Sequence, residues 1–330
     1  LGGAGEATAT FSRVTQLRLD AAEAAAETNI SDTSFSQRCV EEAIDRAELE
    51  AAFAEAIAAD ESGTLPDVSA MSLEVLPRGN DEPTHTGKEL STTASSIQLD
   101  ALARVRLRVE APWPLALVVP ARSAEGYGAC AAFLAQLRRA RAATEAHATR
   151  AWTSSTRRLP GAGGGGVAAR QLAVETRHFV SALHEHVLSR VLETSWGVFQ
   201  SSVERATTLD AARDAHAEFL DSICRQCLVS PDPTWTLLSR QVKAALTAAC
   251  DLEATGRRAD LLSNTSVENT PCASVPEPDA DVIAARFRRA RSYILRVVDS
   301  KLKIGAFPEL HELRSRLDFN GFYGAKGGED

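Results

Sequence analysis

The chain has 330 residues, 44% of them hydrophobic and 24% charged, with a formal net charge of -8. These are the proportions of a globular protein with enough length for one large or two ordinary domains and a sizeable core. The acidic balance is spread along the chain without a long basic run, so there is no footprint for nucleic acid, and no run of about 18 apolar residues offers a membrane span.

The opening residues, LGGAGEATAT, carry no initiator Met and none of the charged-then-apolar pattern of a signal peptide, so the chain is read as a piece of a longer intracellular protein. From Phe11 to about Ala26 the spacing predicts a helix with Val14 and Leu17 on one side. A second is predicted from about Ser36 to Ala59, with Leu49, Phe53 and Ile57 in register. MSLEVLP, closed by Pro77, reads as a short strand. Residues 78–96 carry turn formers and hydroxyls without periodicity and read as a mobile loop.

Residues 103–109 alternate strictly, with Val105, Leu107 and Val109 opposite Arg104, Arg106 and Arg108, and predict a second strand. The chain then passes through Pro112, Trp113 and Pro114 into an apolar run, 115–119, that Pro120 ends because it has no N–H for a ladder. The expectation is a three-stranded antiparallel sheet (72–76, 103–109, 115–119) backed by a helix, as so small a sheet requires.

The rest reads as helix: 123–157; Val167 to Arg205 after the break LPGAGGGG; a segment through Phe219 and Ile223 capped by Thr207 and Asp210; a helix opened by Asp232 and Pro233; and Asp281 to about Lys303. Residues 257–279 read as a loop, and a short helix follows Pro308. The long helix carries two apolar stripes. One runs Leu172, Phe179, Leu183, Val187 and Val191, the other Val180, Leu188, Leu192, Trp196, Phe199 and Val203, a face wide enough for two neighbours. The fold class is therefore mainly α, helical bundles with one small antiparallel β-sheet. It divides into N-terminal helices (1–66), the sheet with its Trp-Pro segment and loop (67–122), and a helical-bundle region (123–330).

Catalytic motifs are not found. The six cysteines (Cys39, Cys130, Cys224, Cys227, Cys250, Cys272) are too sparse for a disulfide framework. Cys224 and Cys227 form a CxxC with no second pair or spaced histidines to complete four zinc ligands, so they read as core thiols. His184 and His186 stand two apart on opposite sides of a helix and cannot chelate one ion. GAGGGG lacks the Lys-Ser/Thr of a phosphate loop. The chemistry that remains is cationic: ARFRRARSYILRVVDSKLK places Arg286, Arg288, Arg289, Arg291, Arg296, Lys301 and Lys303 on one helix of an acidic chain. It reads either as a solvated face favoured by the helix C-terminus or as a docking surface for an acidic partner.

Four phrases, in order, carry a resemblance. RLRVEAPWPLALVVPARSAEGYGACAAFLAQLRRA resembles the strand–WPL–helix passage of the gamma-tubulin complex proteins through Val109, Trp113, Pro114, Leu115, Tyr127, Phe133, Leu134, Leu137 and Arg138. The long helix is similar to the family's through Arg170, Glu175, His178, Phe179, Val180, Leu183, Val191, Leu192, Glu193 and Trp196. TTLDAARDAHAEFLDSICRQCLV matches a third phrase through Leu209, Asp210, Ala215, His216, Phe219, Leu220, Ile223, Cys227 and Leu228, and the ending LRSRLDFNGFY matches the last. Among members the ending most resembles the sixth, with the fifth as competitor.

The resemblance implies the C-terminal half of a non-catalytic scaffold. It would bind gamma-tubulin, assemble with other gamma-tubulin complex proteins, and template microtubule nucleation at spindle poles and other organising centres in the cytoplasm. It implies no cofactor, no metal, no nucleic acid and no membrane, since GTP belongs to gamma-tubulin. Tubulins are acidic, so Arg286, Arg288, Arg289, Arg291, Lys301 and Lys303 are the expected contacts. Trp113 and Pro114, with Phe179, Trp196 and Phe219, are expected to be structural, Trp113 as a buried plug worth about 3–5 kcal/mol. The competing readings are a helical tether or coat scaffold with other protein partners, and a metal-dependent helical enzyme using Cys224, Cys227 and nearby histidines.

Overall fold

Alanine and other strong helix formers fill most of the chain after Pro120. In the computed structural model the described residues of this stretch are helical almost throughout. The structure describes residues 71–76, 93–157, 165–264, 280–305, 309–321 and 323. The two helices expected before residue 66 and most of the loops 78–96 and 257–279 lie outside the described residues. The fold is mainly α, and none of its helices is long and apolar enough to cross a membrane among the described residues.

The described residues divide into two units, one holding 71–76, 93–136 and 205–220, the other 137–157, 165–204, 221–264, 280–305, 309–321 and 323. In the first, strand β1 (Met71–Val75) pairs antiparallel with β2 (Val105–Val109), with Leu73 opposite Leu107 and Val75 opposite Val105. Helix α1 (Ala94–Arg104) precedes β2 without a loop. It was not expected, because its first residues sit among the hydroxyls of the supposed loop. Those hydroxyls are its start signal: the Ser96 N–H donates to Thr93 Oγ1 at 3.2 Å. Leu99, Ala101 and Leu102 bury one side of it. Gln136 donates to the Leu99 carbonyl at 2.6 Å and ties it to helix α2 (Ser123–Arg157).

The third strand does not form. Residues Leu115–Leu117 make a 3₁₀ turn closed by Leu117 N–H on Pro114 O and Val118 N–H on Leu115 O, and the Trp113–Pro114 peptide is cis. Three prolines within nine residues, Pro112, Pro114 and Pro120, remove the donors a ladder needs, so the segment turns instead. Gly128 lets α2 lie close to β2, for a Cβ there would meet the Arg106 side chain and Leu107 carbonyl at 3.3 Å. Helix α5 (Leu209–Gln226) is capped by Thr208, whose Oγ1 accepts from the Ala211 N–H at 3.2 Å, one residue later than expected.

The second unit is a helical assembly. Its long helix is three consecutive pieces: α3 (Gly165–Leu188), a π-helical stretch Ser189–Ser195, and α4 (Trp196–Arg205). It continues through α6 (Pro233–Asn264), α7 (Ala280–Ile304) and α8 (Glu309–Leu317). Helix α6 runs past residue 257 because no proline interrupts it, and Arg257 pairs with Glu253 one turn back. Small residues let the helices approach: Ala140, Ala143, Ala173, Ala245, Ala248 and Ala249 are essentially without exposure. Around them pack Leu137, Leu183, Leu246, Ile283, Phe287, Ile294 and Val298, with Phe179 edge-on to Phe287 at 5.6 Å.

Candidate partner interface

Helix α7 holds the residues expected to meet a partner. Its cations recur at spacings that place them on different faces, and the packing of α7 sorts them into two groups.

Arg291 is 8% exposed. Its neighbours Phe287, Ile294 and Val298, at one and two turns, are all buried, and Arg291 sits on their side of the helix. Its guanidinium donates to Glu175 Oε2 of α3 at 2.9 Å and stacks 3.8 Å from the centre of the Tyr323 ring. Arg288 lies 3.5 Å from the same oxygen, and Gln171 donates to the other at 3.0 Å. Burial opposes ionisation of Glu175, but the hydrogen bond and charge of Arg291, with Gln171 and Arg288, hold its carboxyl below the ordinary carboxylate range. Tyr323 is fixed in turn: its N–H donates to Asp318 Oδ1 at 3.1 Å, and Arg314 bridges Asp318 at 3.1 Å and Asp299 at 2.6 Å. Arg286 pairs with the buried Asp251 of α6. Arg291 is buried and Arg286 half-buried, and each neutralises a carboxylate that the packing has removed from water.

Arg289, Arg296 and Lys303 are exposed. They recur every seven residues, two turns apart, and so form one stripe with only about 20° of drift per step. Arg288 is half-exposed beside Glu175, and Lys301 is half-buried. The exposed cations of α7 are thus Arg288 and the stripe Arg289–Arg296–Lys303, which includes one residue, Arg296, left out of the expected contacts.

Trp113 was expected in the core and is instead 82% exposed, with Pro114, Leu115 and Leu117 exposed beside it. The tight turn between prolines points the indole outward, and the buried tryptophan is Trp235 of α6, 2% exposed. Trp196 is 46% exposed, its ring tilted against that of Phe199 at 5.5 Å. Phe219 is half-buried on α5, and Phe179 is buried.

His184 and His186 face opposite ways from α3 and both are buried. Arg141 donates to His184 Nδ1 at 3.1 Å, and since arginine cannot accept, that nitrogen carries a lone pair and the ring is neutral. Burial, then Arg141 and Arg138, lower its pKa to about 4. Burial chiefly, with Glu312 opposing and Arg316 and Arg190 adding, lowers that of His186 to about 4. Cys227 is buried and Cys224 half-buried, and among the described residues no group of three or more His, Cys, Asp or Glu is arranged to hold a metal.

Residues 9–323 match the family described as "Gamma tubulin complex component C-terminal". The chain is 39% identical over 56 residues to Drosophila melanogaster gamma-tubulin complex component 3, covering 17% of this chain and 6% of that protein. It is 26% identical over 149 residues to Macaca fascicularis component 5, covering 44% and 18%. With Mus musculus component 6 the identity is 23% over 239 residues, covering 68% and 12%. The chain thus spans less than a fifth of each of these relatives, and similarity to components 3, 5 and 6 alike singles out no one member.

Proposed function

The chain belongs to the gamma tubulin complex component C-terminal family, and on that premise we propose that it is a non-catalytic scaffold piece that binds gamma-tubulin. In this reading it acts with other gamma-tubulin complex proteins to present gamma-tubulin for microtubule nucleation at a spindle pole or comparable organising centre in the cytoplasm. The observation that carries it is the family match over nearly the whole chain, supported by an exposed basic stripe on an acidic protein. Docking lies on α7, where Arg289, Arg296 and Lys303 project into solvent and Arg288 and Lys301 flank them. Such a rim attracts an acidic surface and sets its register more than it supplies affinity.

The test is capture of purified gamma-tubulin by the 330-residue chain at low and moderate salt, beside an alpha/beta-tubulin control. Selective capture that weakens with salt and with Arg289→Glu plus Lys303→Glu is the expected result. Selective capture indifferent to both substitutions would keep the function and discard this face. No capture by the folded chain would overturn the reading.

A further inference from the structure

The first half of α6 and the second half of α7 lie side by side in the second unit, and an open groove of about 560 Å³ runs between them. Pro233 and Leu237 of α6 and Tyr293 and Val297 of α7 make its floor, and Arg296 and Lys301 stand on its edge. Leu237 is 53% exposed, and Ile304, two turns past Val297 on the same side of α7, is 71% exposed. Tyr293 and Val297 are half-buried beside them, and an apolar row of this kind, part exposed and part half-buried, marks an interaction surface more often than single exposed side chains do. The basic stripe Arg289–Arg296–Lys303 runs beside this row. Arg240 is exposed one turn beyond Leu237. Asp299, the carboxylate on this half of α7, is taken up by Arg314.

The chemistry selects among occupants. A small metabolite needs enclosure and several converging polar groups, and this groove is open with an apolar floor. A second copy of the chain would bring a matching basic edge against this one. An acidic amphipathic helix fits both features: its apolar side chains at helical spacing lie along Leu237 and Val297, and its carboxylates meet Arg296 and Lys303. We propose that this groove is the docking site for such a helix on a protein partner. The proposal deepens the scaffold reading and rests on it only for the identity of that partner. Apolar contacts in the floor supply the affinity, and the cations supply the approach and register.

Two probes test it on the full chain: a fluorescein-labelled helical peptide of Leu and Glu followed by anisotropy, and purified gamma-tubulin. Control peptides replace every Glu by Lys, or every Leu by Ala. Leu237→Ser and Arg296→Glu alter exposed side chains, and unchanged melting temperatures verify their folds. The Leu/Glu peptide binds, both controls fail, and each variant weakens binding by about tenfold, the loss of one anchor contact. Only the Arg296 variant flattens the salt dependence, since only it removes a charge of the stripe. The same variants lose gamma-tubulin, and the peptide competes with it. Capture of gamma-tubulin by wild type and variants alike would overturn gamma-tubulin as the groove's partner and leave the scaffold reading standing. Peptide binding that follows this pattern without gamma-tubulin capture would support the groove and overturn that reading. A Leu/Glu peptide that binds no better than its controls would overturn the groove whatever gamma-tubulin does.

Discussion

The two buried histidines of α3 make acid sensitivity a measurable property of this fold. Burial is the main reason neither ring takes a proton; Arg141, which donates to His184 Nδ1, and Arg138 add to it at His184, while at His186 Arg316 and Arg190 add to it against the opposing charge of Glu312. Both folded pKa values fall to about 4 from an ordinary 6.5. The unfolded chain therefore binds protons between these values that the folded chain refuses, and stability is lost as pH falls through that window. At about pH 5 the unfolded group is some 1.5 units below its pKa and the folded group is still neutral. Each histidine then costs about 2 kcal/mol relative to about pH 7, and the pair about 4. Glutamine at either position does not titrate, and at 184 its carbonyl still accepts from Arg141. Urea unfolding followed by circular dichroism at both pH values, on wild type, His184→Gln, His186→Gln and the double variant, isolates the effect, because carboxylates titrate alike in all four. The double variant should lose about 4 kcal/mol less than wild type on acidification, and each single about 2 less. Equal losses in wild type and double variant, within about 0.5 kcal/mol, would refute the assignment of neutral buried rings.

The α7 cations should separate cleanly by stability. Arg291→Ala strips the buried Glu175 of its closest cation, leaving Arg288 at 3.5 Å and Gln171, and should cost about 2–3 kcal/mol, whereas Arg289→Ala should stay within about 0.5, both read from urea midpoints. Trp113→Ala should leave the melting temperature nearly unchanged because the indole is already 82% in solvent, and a large drop would restore the plug reading. Leu137→Ala, at a side chain with no exposure, should cost about 2–5 kcal/mol. Thr208→Ala should cost about 1 kcal/mol through loss of the α5 cap, and Thr207→Ala much less, with thermal unfolding distinguishing them.

Helices whose signals are local were legible in the residues. The span 123–157 is matched by α2 at both ends, and Pro233 opens α6, because periodicity, caps and N1 proline act within a few residues. The alternation expected over 103–109 was legible for the same reason: it forms β2 at Val105–Val109, and the strand expected at 72–76 pairs with it antiparallel as Met71–Val75. The family was legible too, since ordered phrases survive in linear text. What only the tertiary structure decided is which partner each side chain meets. Arg291 and Arg289 are the same residue type two positions apart, yet Glu175, 116 positions away, claims only the former. The buried neighbours of Arg291 at helical spacing are a readable hint, which the many cations of α7 obscure. Trp235 and Trp113 reverse the burial expected of the more conspicuous Trp-Pro-Leu phrase, because packing between helices and not sequence prominence decides which indole leaves water. Local pattern sets where the chain is helical. Burial and ion pairing depend on long-range contacts that no window of sequence contains, and they determine which cations remain free to meet a partner.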